Sequence, residues 1–177
     1  MWQHQQQGVF KIMIKRMLCF TLFIVGAMSF VACSTPVRVI VSNYKDSNLN
    51  NRGDNVPVTL LIYQLKDGKR FEYASSQDLL NRESVVLGRD KVDSIRVQIP
   101  PNETNMIAAE INKKEGKYIG ILALFANSQN KTQKFHKKLN RVCSNVIRLD
   151  ITQSGISKAS KKNYKQTQYA EVENNEQ

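Results

Sequence analysis

The stretch VPVTLLIYQLKDGKRFEY, residues 56–73, joins a run of β-branched and aromatic residues to an Asp-Gly pair. Val58 to Leu65 reads as a strand, because side chains of this kind pack well on a pleated surface. Asp67-Gly68, set between LIYQL and RFEY, is the two-residue signal of a β-hairpin, which makes RFEY a returning strand.

Outward from this stretch a period of two recurs. PVRVIVSNY places Val37, Val39 and Val41 on one face and Arg38, Ile40 and Ser42 on the other. SIRVQI, TNMIAAEI, KYIGILALFA and SNVIRLDI are further short runs of the same kind, and Pro100-Pro101-Asn102 marks a turn. Six or seven strands without βαβ alternation predict an all-β fold, an antiparallel two-sheet sandwich. The interval ASSQDLLNRESVVLGRD breaks the pattern. Ser75 stands three residues before Asp78 as in a capping box, Leu79, Leu80, Val85, Val86 and Leu87 follow, and Gly88 is a stop. It predicts one or two short helices packed on the sandwich.

The chain opens with a glutamine-rich segment and a basic patch of Lys11, Lys15 and Arg16. An apolar run of 16 residues, Met17 to Ala32, comes next. As a helix this run spans about 24 Å, short of the ~30 Å hydrocarbon core of a bilayer, so it reads as a secretory signal over residues 1–32. Phe30-Val31-Ala32-Cys33 resembles the bacterial lipobox, in which a large apolar residue and two small ones precede the cysteine that receives lipid. Phe30 departs from the usual leucine but keeps the position large and apolar. The resemblance implies Cys33 as the lipidation site, residues 33–36 as a tether, and a chain of about 145 residues after cleavage. Ser34, rather than Asp, follows the cysteine, which in such lipoproteins favours export to the periplasmic face of the outer membrane. No cofactor is expected beyond the covalent lipid on Cys33. Several acyl chains give stable anchoring where one would not.

Cleavage would leave 23 basic against 15 acidic residues, a net charge of +8 in place of +11. Export excludes nucleic acid as the partner for that charge; headgroups, cell-wall polymers and acidic protein faces remain, and much of the excess reads as solvated lysines and tail. Residues 37–156 form the expected domain, and 157–177 a polar tail without periodicity, expected to be disordered. Cys19 leaves with the leader, so Cys143 has no partner for an intramolecular disulfide and is expected to be a buried structural thiol.

Catalysis needs a constellation of groups, and the sequence offers none. His136, in KTQKFHKKLNR, reads as a surface residue among lysines. Glu72, Asp78 and Glu83 read as solvated charges. There is no glycine-rich phosphate loop, metal-ligand cluster or GxSxG. The chain is therefore expected to be no enzyme but a binding or structural module. The long irregular segment KDSNLNNRGDNVP, residues 45–57, is a candidate for that binding. Loops of this length between strands are often functional, and its Asn, Asp and Gly can order it.

The succession LNNRGDNVPVTLLIYQLKDGKRFEYASSQDLL, followed by VVLG, resembles the outer-membrane lipoprotein of type VI secretion systems, the TssJ (SciN) family. The residues that carry it are Asn50, Gly53, Pro57, Tyr63, Leu65, Lys66, Phe71, Leu79, Leu80, Leu87 and Gly88, with IGILALFAN as the family's core strand. The match runs from about Val37 to Thr152. PPNET replaces a frequent Pro-Gly, Phe135 stands where Trp is common, and the basic tail is longer. The resemblance implies a transthyretin-like antiparallel β-sandwich with one or two short added helices. It implies tethering of the secretion membrane complex by binding the periplasmic domain of a TssM-like inner-membrane protein. The contact would be the loop Asp46 to Val56, with Asp46, Asn48, Leu49, Asn50, Asn51, Arg52, Gly53 and Asp54 as binding residues. A lipoprotein that holds a small ligand or cell-wall polymer in a sandwich cleft is the alternative.

Overall fold

A computed structural model describes residues 36–112, 115–140 and 145–160. The leader, Cys33, Cys143 and residues 161–177 of the tail lie outside these residues, whereas Ser157 and Lys158, expected in the disordered tail, belong to the last strand of the domain. Two four-stranded sheets face one another. The first has the order β4-β1-β7-β8, built from β1 (Val37–Asn43), β4 (Glu103–Ile111), β7 (Asn145–Thr152) and β8 (Gly155–Lys158). The second has the order β3-β2-β5-β6, built from β2 (Val58–Leu65), β3 (Lys91–Ile99), β5 (Tyr118–Leu124) and β6 (Lys134–Lys138). All pairings but one are antiparallel; β1 runs parallel to β7, from Val37 opposite Asn145 to Asn43 opposite Ile151. The expected sandwich is present, with one parallel seam through its first sheet.

Val37, Val39 and Val41 are fully buried, as their alternation predicts. They meet Val58, Leu60 and Ile62 of β2, Ile119 and Ile121 of β5, and Ile147, Leu149 and Ile151 of β7 in one apolar core. Each such side chain taken from water stabilises the fold by about 1.5–3 kcal/mol. The opposite face of β2 and β5 is buried as well. Tyr63, Leu65 and Leu122 pack there against Phe71, Leu79 and Leu87 of a helical layer.

That layer consists of α1 (Lys69–Tyr73), α2 (Ser76–Asn81), α3 (Glu83–Leu87) and a 3-10 turn at Gly88–Asp90. The Asp67-Gly68 hairpin and the returning strand RFEY are therefore corrected: the chain turns into α1. A type I′ hairpin needs positive φ at both central residues, whereas Gly68 has φ −88° and Asp67 Oδ1 accepts from the Lys69 amide at 2.8 Å. The pair starts a helix. Ser75 behaves as predicted and accepts the Asp78 amide at 3.0 Å. Arg82 first, then Ser75, holds the Asp78 carboxyl below its ordinary pKa. Gly88 closes α3 at φ 48°. The interval thus holds two short helices, α2 and α3, as expected, and α1 is added where RFEY was expected as a strand.

The helical layer is keyed to the sheet at two points. Phe71 lies over Gly120 of β5, where an added Cβ would come within 2.9 Å of the ring, and its ring stands 5.7 Å from that of Tyr63. Burial, then the Glu83 carboxylate, pushes the Tyr63 phenol above its usual pKa. Lys134 of β6 reaches the end of α1, donating to the carbonyls of Glu72 at 2.7 Å and Ala74 at 2.5 Å. Its ammonium also lies 5.8 Å from the Phe71 ring centre. A cation here complements the partial negative charge of the helix C-terminus. Burial holds the lysine below its ordinary pKa, while Glu72 pulls it back up.

Two substitutions test this keying. Gly120→Val forces the Phe71 ring outward and should cost about 1–3 kcal/mol in urea unfolding. Lys134→Met removes the carbonyl contacts of α1 and should cost about 1 kcal/mol. Amide exchange should then accelerate in Lys69–Asn81 while the rates of β1 and β7 hold.

Candidate partner-binding loop

The residues between β1 and β2 begin on a buried asparagine. Asn43 is fully buried; its amide donates to the carbonyls of Ile99 at 3.3 Å and Pro100 at 2.8 Å, and its oxygen accepts from Ser47 Oγ. These bonds join the end of β1 to the end of β3 in the facing sheet. Asp46, with φ 59°, turns the chain back, a conformation that aspartate tolerates better than most side chains.

Asn48 carries the next step. It is 1% exposed, its amide donates to the carbonyls of Val56 at 3.2 Å and Pro57 at 2.9 Å, and its oxygen accepts the Ala126 amide at 2.7 Å. One side chain thus clasps both stems of the loop and ties them to the β5–β6 connection. Lys131 from that connection donates to the Ser47 carbonyl and lies 4.8 Å from the centre of the Phe125 ring. Burial lowers the Lys131 pKa.

Beyond Asn48 the loop forms a small hairpin. Leu49 bridges Asn55, and the Asn50 amide donates to the Asp54 carbonyl at 2.9 Å. Asn50 Oδ1 accepts from the amides of Arg52 at 2.8 Å and Asp54 at 2.9 Å, and Asn50 Nδ2 donates to Asp54 Oδ2 at 3.1 Å. Gly53 closes the tip at φ 85°, the positive angle that its identity suggests, and a Cβ there would meet nothing within 4 Å. Asn51, Arg52, Gly53 and Asp54 are exposed, and Leu49 is 37% exposed. The structure therefore divides the eight predicted residues. Asn48 supports the loop from inside, Asn50 shapes the hairpin, Asp46 makes the entry turn, and Leu49 with the tip faces outward.

Sequence reasoning did not find Lys131, which lies 84 residues from its acceptor Ser47 and has no local signature. It also missed Tyr44, 40% exposed at the loop's entrance. A groove of about 470 Å³ runs between α2 and the β5–β6 connection, lined by Leu80, Leu124 and Phe125 among polar residues, with no charged side chain. His136 lies 3.9 Å from Glu72, exposed on the edge strand β6. Among the described residues no cluster of three His, Cys, Asp or Glu could hold a metal ion.

This architecture has known counterparts. Serratia marcescens Lip, described as a membrane-bound component of the type VI secretion system, superposes with a TM-score of 0.65 at 18% identity, over 72% of this chain and 98% of Lip. The T6SS lipoprotein TssJ1 from Pseudomonas aeruginosa gives 0.58 at 19% identity, over 71% and 98%. A chain from a structure described as the T6SS protein TssM C-terminal domain from EAEC gives 0.56 at 17% identity, again over 71% and 98%. No protein with a curated description matches the sequence. The profile of the type VI secretion lipoproteins VasD, EvfM and TssJ matches residues 35–154, nearly the whole sandwich, and this chain belongs to that family.

Proposed function

We propose that this type VI secretion lipoprotein anchors at the periplasmic face of the outer membrane through acyl chains on Cys33. Its loop Asp46 to Val56 binds the periplasmic domain of a TssM-like inner-membrane protein, so that the chain tethers the secretion membrane complex. It does so without catalysing a reaction. The observation that carries this reading is the exposed hairpin Leu49–Asn55, presented on stems that the buried Asn48 clasps. A preorganised loop loses little conformational freedom on binding, so more of its contact energy appears as affinity. The structural likeness to a chain from a structure described as the TssM C-terminal domain supports this choice of partner.

Binding energy in such an interface concentrates in few residues. Leu49 is the apolar candidate, and Arg52 can form a bidentate bond to a carboxylate. Neither belongs to the two apolar cores.

Two tests follow from these assignments. Cys33→Ser should leave an unprocessed precursor that no longer incorporates labelled palmitate; continued labelling would remove Cys33 as the site. Recovery of the wild type in the inner membrane would sink the sorting read from Ser34. Calorimetric titration against the soluble partner domain checks the loop. Leu49→Ala with Arg52→Ala should weaken binding by about 2 kcal/mol or more with thermal stability nearly unchanged. Asn48→Ala should behave differently, costing about 1–3 kcal/mol of stability as well as affinity, because it strands buried backbone groups. Wild-type affinity in the double variant would move the contact elsewhere, first to Lys134–Arg141.

A further inference from the structure

The two ends of the sandwich differ in charge, and the strand registers show which strand ends lie beside the start of β1. Val37, where β1 starts, lies opposite Ile111 and Asn145; in the facing sheet Leu65 lies opposite Tyr118, and Tyr118 opposite Lys138. Gln64 Nε2 donates to the Asn112 carbonyl at 3.2 Å, joining these strand ends across the sandwich. The candidate loop occupies the opposite end, at Asn43 and Val58. Only Ser34, Thr35 and Pro36 separate Cys33 from β1. Fully extended, the step from Cys33 to Val37 spans roughly 14 Å. If Cys33 carries the anchor, the Val37 end is held that close to the bilayer surface.

A cavity of about 580 Å³ opens at this end, lined by Lys66, Lys117, Lys138, Tyr118, Asp67 and Asn140 among others. The three lysines are exposed. Two carboxylates oppose them. Glu115 pairs with Lys66 at 2.7 Å, a contact that lowers the Glu115 pKa, and Asp67 is spent locally on the Lys69 amide. Arg38 and Glu110, on the flanking strands, neutralise one another at 2.7 Å. Lys117 and Lys138 have no ion-pair partner among the described residues. At the loop end, Lys45, Arg52 and Lys131 are matched in number by Asp46, Asp54 and Glu103, so no such excess arises.

We propose that this end of the sandwich docks on anionic phospholipid headgroups, with Lys66, Lys117 and Lys138 facing their phosphates. The proposal rests on the reading of Cys33 as the lipid attachment site. The occupant follows from tether length and charge: even fully extended the tether reaches less than two of the ~8 Å screening lengths of physiological salt, and any slack brings the lysines closer, within range of the surface potential. Each lysine near an anionic surface strengthens attraction about fivefold. Docking here would fix the domain upright, with the loop Asp46 to Val56 directed away from the membrane.

The processed lipoprotein provides the test. Trp2 is the chain's one tryptophan and leaves with the leader, so Asn112→Trp at the tether end and Asn51→Trp at the loop end are single reporters. Each is reconstituted into phosphatidylcholine vesicles holding a dansyl-labelled headgroup, with and without phosphatidylglycerol. Energy transfer from Asn112→Trp should rise about twofold or more with phosphatidylglycerol, and transfer from Asn51→Trp should stay low in both. Lys66→Gln, Lys117→Gln and Lys138→Gln together, or high salt on the unsubstituted surface, should abolish the rise. Mass spectrometry of the same sample reads the acyl chains on Cys33. A lipidated sample whose transfer ignores phosphatidylglycerol, or a triple variant that behaves like its parent, overturns the docking alone. A sample without acyl chains overturns the anchor and the docking with it.

Discussion

The fold depends on β2 and β5 being buried on both faces. One face of β2 gives Val58, Leu60 and Ile62 to the core between the sheets, and the other gives Tyr63 and Leu65 to the helical layer. A strand in this position cannot alternate apolar and polar residues, and VTLLIYQL does not. The helical layer exists to cover that second face, and its short helices are too small to persist alone. They are held by Phe71 against Gly120 and by Lys134 at the end of α1. Both anchors lie on β5 and β6, so the layer is held in place by the second sheet.

This double burial explains what the sequence makes legible and what it hides. β1 is readable because its alternation is clean, and β7 and β3 read nearly as well. β6 was hidden, since KFHKK has the composition of a solvated face; its lysines suit a sheet edge, where charge discourages pairing with other chains. β8, only four residues long, was split between the domain and the tail. The reading of RFEY as a strand failed for a physical reason. Asp-Gly serves hairpins and helix starts alike, and the choice is made by Lys134 and Gly120, far away in sequence. The loop was legible as a unit by its length and its turn formers. Its internal division was not, because among four asparagines only the partners of Asn48 distinguish the buried clasp from the exposed tip.

The parallel seam between β1 and β7 has a mechanical consequence for a tether. β1 is the first strand after the predicted anchor, and the candidate loop leaves directly from its far end. It lies inside its sheet, bonded on one side to β4 and on the other to β7. A load between membrane and loop would therefore run along β1 itself. Such a load shears both ladders together instead of opening them bond by bond. Val37, Val39 and Val41 anchor the same strand into the core, so sliding it would also drag three buried side chains across their packing. Asn43 extends this path past the strand end by bonding to Ile99 and Pro100 of the facing sheet, and Asn48 then passes it to both stems of the hairpin. The polar groups buried at this end are thus placed where a purely apolar core would leave the loop free to swing. They make the loop a continuation of the sandwich, and a rigid continuation is what the proposed tether between two membranes would require.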